Sequence, residues 1–176
     1  MKTPVLETDR LRLRPLSVKD ADEAFKNWTS DRDVARFMRW KLHSDVNETR
    51  EWLAFEETKI ESDKSYVWGY VLKETGELIG SGGLLFKEDK GMFEIGYNIM
   101  KKYWNCGIAT EAAQRIIDFG KTELNQKQFY CVHAKDNPAS GRVITKARFR
   151  CQGECADYSL DGKVKFDCKE YLLEIR

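Results

Sequence analysis

Residues 94–110 read Glu-Ile-Gly-Tyr-Asn-Ile-Met-Lys-Lys-Tyr-Trp-Asn-Cys-Gly-Ile-Ala-Thr, and they change period part-way. From Met92 to Met100 the pattern alternates. Glu94, Gly96 and Asn98 fall on one face, and Phe93, Ile95, Tyr97 and Ile99 on the other, as in a strand. A loop rich in lysine and aromatics follows, Lys101 to Cys106. From about Gly107 the residues Ile108, Ala109, Ala112, Ala113, Ile116 and Ile117 line one side of a helix. A helix N-terminus offers unpaired amide N–H groups and the positive end of the helix dipole, which suits a phosphate. Gly107 removes the Cβ that would block close approach, and Asn105 tolerates left-handed backbone. Lys101 and Lys102 add positive charge.

Working outward, Val5 to Arg14 alternates with Leu11 and Leu13 on one face and Arg10, Arg12 and Arg14 on the other, which predicts one half-buried strand. Ser17 opens a helix with Asp20 at its third position as a weak capping box. A short helix covers Asp33 to Met38, and Ser44 caps a longer one in which Val46, Leu53 and Ile60 recur. Tyr66 to Lys73, Leu78 to Phe86 and Met92 to Met100 form an antiparallel meander, its turns at Glu74–Glu77 and Lys87–Gly91. Gln128 to Ala134 is the next strand. Pro138 sits at the first position of a helix ending near Ala147. Phe149 to Tyr158 and Lys163 to Ile175 make a terminal hairpin across Asp161-Gly162. The order β-α-α-α-β-β-β-α-β-α-β-β gives a mixed α/β (α+β) sheet with helices on its faces, in a single domain over residues 1–176.

Composition narrows the function classes. The chain has 176 residues, 41% of them apolar, and 30 basic against 29 acidic residues. That core is large enough to fold, and the net charge of +1 gives no case for a nucleic-acid or membrane-surface partner. The longest uncharged run, Leu78 to Phe86, is nine residues, far short of the ~20 a spanning helix needs. Five scattered cysteines without a Cys-x-x-Cys pair, and only two histidines, read as reduced cytoplasmic thiols with no metal centre.

The run Tyr103-Trp104-Asn105-Cys106-Gly107-Ile108-Ala109-Thr110-Glu111-Ala112 resembles the acyl-CoA pyrophosphate loop of the GNAT N-acetyltransferase superfamily. The likeness is greatest to the branch of ribosomal-protein N-terminal acetyltransferases. Leu6 to Arg14 resembles that branch's opening strand, Glu94-Ile95-Gly96-Tyr97 its fourth strand, and Asn137-Pro138-Ala139-Ser140 the start of the helix after its fifth. The chain departs from the family pattern at Trp104, at Asn105-Cys106 and at Arg148, where a helix-ending glycine is usual.

The resemblance implies a mostly antiparallel sheet whose fourth and fifth strands splay apart, with acetyl-CoA as co-substrate and an amine attacking the thioester directly. Carried over, the backbone of Ile99 and Met100 pairs with pantetheine, and the amides of Asn105, Cys106, Gly107, Ile108, Ala109 and Thr110 hold the pyrophosphate. Asn137 reaches the pantetheine or the loop around it. Glu94 is the candidate base, acting through a water, and Ser140 the candidate acid for the departing sulfur, with Tyr97 as substitute donor although alternation points it into the core. The expected acceptor is a protein N-terminal α-amine. A small-molecule amine (polyamine, amino acid or antibiotic) and a non-catalytic acyl-CoA-binding domain stay open, as does a monomer or homodimer.

Other features read as structural. Gly80-Ser81-Gly82-Gly83 lacks Gly-Lys-Ser/Thr and is a bulge or a close-packing point, not a phosphate loop. Cys131 and His133 lack a third catalytic partner, so Cys131 is a core residue. Trp28, Trp40, Trp52 and Phe55 are taken as core, and Asp31, Arg32 and Asp33 as charges within reach of a peptide N-terminus.

Overall fold

The computed structural model describes residues 2–175. Among these residues eight strands form one sheet: β1 (Leu6–Glu7), β2 (Leu11–Arg14), β3 (Ser65–Leu72), β4 (Leu78–Lys87), β5 (Met92–Ile99), β6 (Gln128–Ala134), β7 (Arg150–Tyr158) and β8 (Lys165–Glu174). Their order is β1-β2-β3-β4-β5-β6-β8-β7. Every neighbouring pair is antiparallel except β5 and β6. That parallel pair holds register only at Phe93↔Phe129 and Glu94↔Tyr130. Beyond it the strands separate, so the residues from Ile95 onward have a free edge toward β6.

Helices α1 (Ala21–Ala24), α2 (Arg32–Ala35), α3 (Val46–Thr58), α4 (Ile108–Thr122) and α5 (Pro138–Lys146) complete the fold. Two apolar clusters pack on opposite faces of the sheet. Ile79 belongs with Tyr66, Trp68, Phe119 and the buried face of α4, while its neighbour Leu78 belongs with Ala24, Trp28 and Leu53. Adjacent strand residues point to opposite faces, so one strand seeds both layers.

Four details depart from the sequence reading. The opening strand is a hairpin, because Thr8 turns the chain: its N–H donates to Leu11 O and its hydroxyl accepts the Leu11 N–H, both at 2.9 Å. The first helical segment begins as a 3₁₀ turn and ends as a π turn over Phe25–Thr29. The expected capping box of Ser17 and Asp20 is present, with the Asp20 carboxylate accepting the Ser17 N–H at 2.8 Å, and the same carboxylate also accepts from Arg14. Asp45, not Ser44, caps α3 by accepting the Asn47 N–H at 2.7 Å. That helix stops before Ile60.

The glycine run on β4 is a close-packing point. Its register with β5 is unbroken, its pairing with β3 slips by one residue just before Gly80, and a Cβ on Gly82 would lie 2.1 Å from the Tyr70 hydroxyl and 2.4 Å from Gly96 O. Arg148 takes φ +68° at the end of α5 and so adopts the left-handed turn that glycine usually fills.

Candidate active site

Asn105 and Gly107 both adopt left-handed backbone, at φ +62° and +78°, and aim the chain into α4. The first intrahelical bond runs from Glu111 N–H to Gly107 O at 3.1 Å. The four amides from Gly107 to Thr110 therefore have no partner within the helix. Three clamps shape the loop before them. Trp104 Nε1 donates to Ile99 O at 2.8 Å, the Tyr103 hydroxyl donates to Glu77 at 2.6 Å, and Lys101 pairs with Asp33. A fourth comes from the β1–β2 turn. Arg10 donates through Nη1 to Cys106 O at 2.9 Å and through Nε to Glu111 at 2.7 Å, while its backbone N–H reaches the same carboxylate at 2.9 Å.

Between these amides, the free edge of β5 and the start of α5 lies a cleft of about 310 Å³. Ile99, Asn105, Gly107, Ile108, Ala109, Thr110, Asn137 and Ser140 line it, as do Arg142 and Lys146 of α5, which the sequence reading missed. Cys106 and Met100 are not in this lining. Met100 has both backbone groups engaged, its N–H donating to Ile79 O at 2.7 Å and its carbonyl accepting from the Tyr103 N–H at 2.9 Å. Ile99 lines the cleft, with its carbonyl accepting from Trp104 Nε1. Free amides behind a left-handed glycine, an open strand edge and two nearby cations match a pyrophosphate on a long polar arm.

A second cavity of about 460 Å³ lies on the far side of β5. Phe37, Met38, Tyr97, Asn98, Asn137 and Ser140 border both spaces, so the two meet at the splay. Trp40, Trp52 and Phe55 wall this second cavity, and of the four aromatics read as core only Trp28 is fully buried, packed with Ala24 and Leu53 away from it. Asp31 instead caps α2, accepting the Asp33 N–H at 2.8 Å.

Glu94 is on the cavity floor but is 5% exposed and not a solvated strand residue. Arg39 donates to its two oxygens at 2.7 and 2.6 Å, and to Asp157 at 2.6 Å. Burial works against the Arg39 cation, but the bonds to Glu94 and then Asp157 outweigh it and its pKa is raised. The Tyr97 hydroxyl is 3.0 Å from Ser140 Oγ, so the acid candidate and its substitute touch. Burial raises the Tyr97 pKa, the Cys131 thiol adds to the effect, and the Ser140 bond opposes it. Cys131 is itself buried, with a raised pKa, and its thiol contacts Ile95 O instead of His133.

A family model described as the acetyltransferase (GNAT) domain matches residues 10–150. The chain belongs to the GNAT acetyltransferase family. Its GNAT relatives include the uncharacterized N-acetyltransferase p20 of Bacillus licheniformis, 30% identical over 154 residues, 87% of this chain and 86% of that protein. The fold is shared with the ribosomal-protein-S5-alanine acetyltransferase of Vibrio fischeri, at TM-score 0.81 and 16% identity over 97% of this chain and 96% of that one. It is also shared with RimL, a ribosomal L7/L12 α-N-protein acetyltransferase in complex with CoA, at TM-score 0.82 and 16% identity over 98% of both. As a GNAT enzyme this chain is an acetyl-CoA-dependent N-acetyltransferase. Among the described residues no helix is long and apolar enough to cross a membrane.

Proposed function

We propose that this enzyme transfers the acetyl group of acetyl-CoA to the α-amine of a protein N-terminus by direct attack. The cofactor supplies the acetyl thioester. The amides of Gly107, Ile108, Ala109 and Thr110, flanked by those of Asn105 and Cys106, hold its pyrophosphate. Ile99 pairs with the pantetheine arm, Asn137 lies beside that arm, and Arg142 and Lys146 face the nucleotide end. Ser140 donates a proton to the departing sulfur. Tyr97, kept protonated by burial, donates to Ser140 Oγ. Glu94 takes the amine proton through a water.

The observation that carries the acceptor class is the Arg39–Glu94 pair. Both Glu94 oxygens already accept bonds from one guanidinium, so neither is left without a partner to take up an amine proton. Such a site suits an amine that is partly neutral already. At pH 7 an α-amine is ~14% neutral and a lysine side chain only ~0.04%. A peptide bearing both a free N-terminus and a lysine, incubated with acetyl-CoA and mapped by mass spectrometry, is expected to carry the label on the α-nitrogen in preference to the lysine by about 300-fold. Label on lysine alone would overturn the assignment.

A small-molecule primary amine is the second reading, favoured by the aromatic walls at Trp40, Trp52 and Phe55. A panel of free amines run beside the peptide separates the two. Five free cysteines support a reducing, cytoplasmic setting.

A further inference from the structure

The floor of the acceptor cavity is three residues of β5 that share one face: Glu94, Gly96 and Asn98. Gly96 is exposed, and a Cβ built on it would meet nothing within 4 Å, so the floor is open between a carboxylate and a carboxamide. Opposite Gly96 stands another glycine, Gly83 of β4. Asn98 lines both the cofactor cleft and the acceptor cavity. Its Nδ2 donates to Ser81 Oγ at 2.8 Å, and Ser81 is buried on the adjacent strand directly across from it. That bond fixes the carboxamide plane. It leaves Oδ1 buried and without a hydrogen-bond partner. A buried carbonyl oxygen without a donor is costly and calls for a partner, and in a side chain that borders both spaces a bound ligand is able to supply one.

We propose that Asn98 Oδ1 binds the acceptor nitrogen, accepting one of its N–H groups and holding it above Gly96 at the junction of the two spaces. The inference rests on the acetyl-CoA-dependent reading of the site and adds the group that positions the nucleophile. The complement of an oriented acceptor is an N–H donor. Two sources supply one at this junction: the acceptor amine and the amides of the pantetheine arm. The amine is favoured because Asn98 shares its face with Glu94 and not with the strand edge that the arm follows. One face then offers both groups an amine needs, an acceptor that orients it and a carboxylate that draws off its proton. Fixing an amine so that its lone pair meets the thioester is a positioning effect, expressed in acceptor KM and in kcat.

The test needs no knowledge of the natural acceptor. CoA alkylated with iodoacetamide carries –CH2–CO–NH2 on sulfur and places an N–H donor just beyond the thioester position. Its methyl-ketone counterpart, –CH2–CO–CH3, has nearly the same shape without the donor. Calorimetry on the wild-type chain is expected to show the primary amide binding about tenfold tighter than the methyl ketone, the effect of one buried hydrogen bond. Asn98→Ala should erase that difference and leave CoA affinity unchanged. Asn98→Asp, which keeps an oxygen acceptor that Ser81 is able to orient, should restore it.

A difference that survives in Asn98→Ala overturns the proposal, as does an Asp variant that fails to restore it. A matching loss of affinity for CoA itself also overturns it, because Asn98 would then serve the pantetheine arm. Thermal melting of each variant shows whether the fold is kept, and Ser81→Ala, which frees the carboxamide without removing it, should shrink the difference only partly. If the wild-type chain binds neither CoA nor its derivatives, the cofactor reading fails. If CoA binds and the two derivatives do not differ, only the role of Asn98 fails.

Discussion

Ser140 depends on a neighbour 43 positions away in the chain. The Tyr97 phenol reaches its hydroxyl at 3.0 Å and its carbonyl at 3.2 Å, while Asn137 Oδ1 accepts its N–H at 3.2 Å. Ser140→Ala is expected to lower kcat by about 10- to 100-fold, with calorimetric CoA affinity retained, as for loss of a general acid. Tyr97→Phe should cost less, about 3- to 10-fold, because it removes support and not the donor. The double variant should be little worse than Ser140→Ala, since the two act as one chain. Multiplicative losses in steady-state kinetics would show that they act separately. Alternation along β5 correctly placed Glu94 and Tyr97 on opposite faces. It carried no information on the Arg39 that holds Glu94 or on the tilt that brings Tyr97 to Ser140, because strand period says nothing about what packs on each face.

Among the elements, the β1–β2 turn matters beyond its size. Arg10 holds the carbonyl of Cys106 and the side chain of Glu111, so the turn braces the start of α4 from outside. Arg10→Ala is expected to weaken CoA binding by about tenfold, as for loss of a hydrogen-bonded charge pair, with pantetheine (which lacks the pyrophosphate) bound as before. Equal losses for both ligands in calorimetry would assign Arg10 to general stability. Reading Val5 to Arg14 as one strand hid this turn, although Leu6 and Leu11, five positions apart, would lie on opposite faces of one strand and both are buried. The Thr8 bonds that make the turn are visible only in the structure. The helical region between β2 and β3 was hard to read for a related reason. Trp28 and Trp52 both look apolar in sequence, yet one fills the core and the other walls a cavity, and only the helix packing separates them.

For the molecule as a whole, acid should act in two stages. Burial holds the His43 pKa below its ordinary value, with Lys41 adding to the effect and Glu48 opposing it. The unfolded chain therefore binds the extra proton first, and the stability due to His43 is complete above about pH 6.5 and lost as pH falls below it. Glu111 and Asp20 follow. Burial opposes their charge, but bonds from Thr8 and Arg10 in one case, and Arg14 and Ser17 in the other, outweigh it and lower both pKa values. Their contribution is present above about pH 4.3 and lost on further acidification. Thermal midpoints measured from pH 8 to 3 should fall gently below 6.5 and steeply below 4.5, and Glu111→Gln should flatten the second stage. A midpoint that rises on acidification would contradict both signs.

The same scale separates what was legible in the chain from what was not. Local chemistry determined the elements and the cofactor end: alternation wrote β3, β4 and β5, the left-handed Asn105 and Gly107 wrote the entry to α4, and Pro138 wrote the start of α5. Each of these depends on residues a few positions apart. The second cavity, where the acceptor is proposed to bind, was decided by tertiary structure alone. Its Arg39 clamp joins the segment after α2 to β5 and β7, and the tip of the β7–β8 hairpin closes on it through a bond from Leu160 N–H to Arg39 O at 2.8 Å. Partners separated by 55 to 121 positions leave no periodic trace, because the sheet order β5-β6-β8-β7, and not the spacing of residues, brings them together.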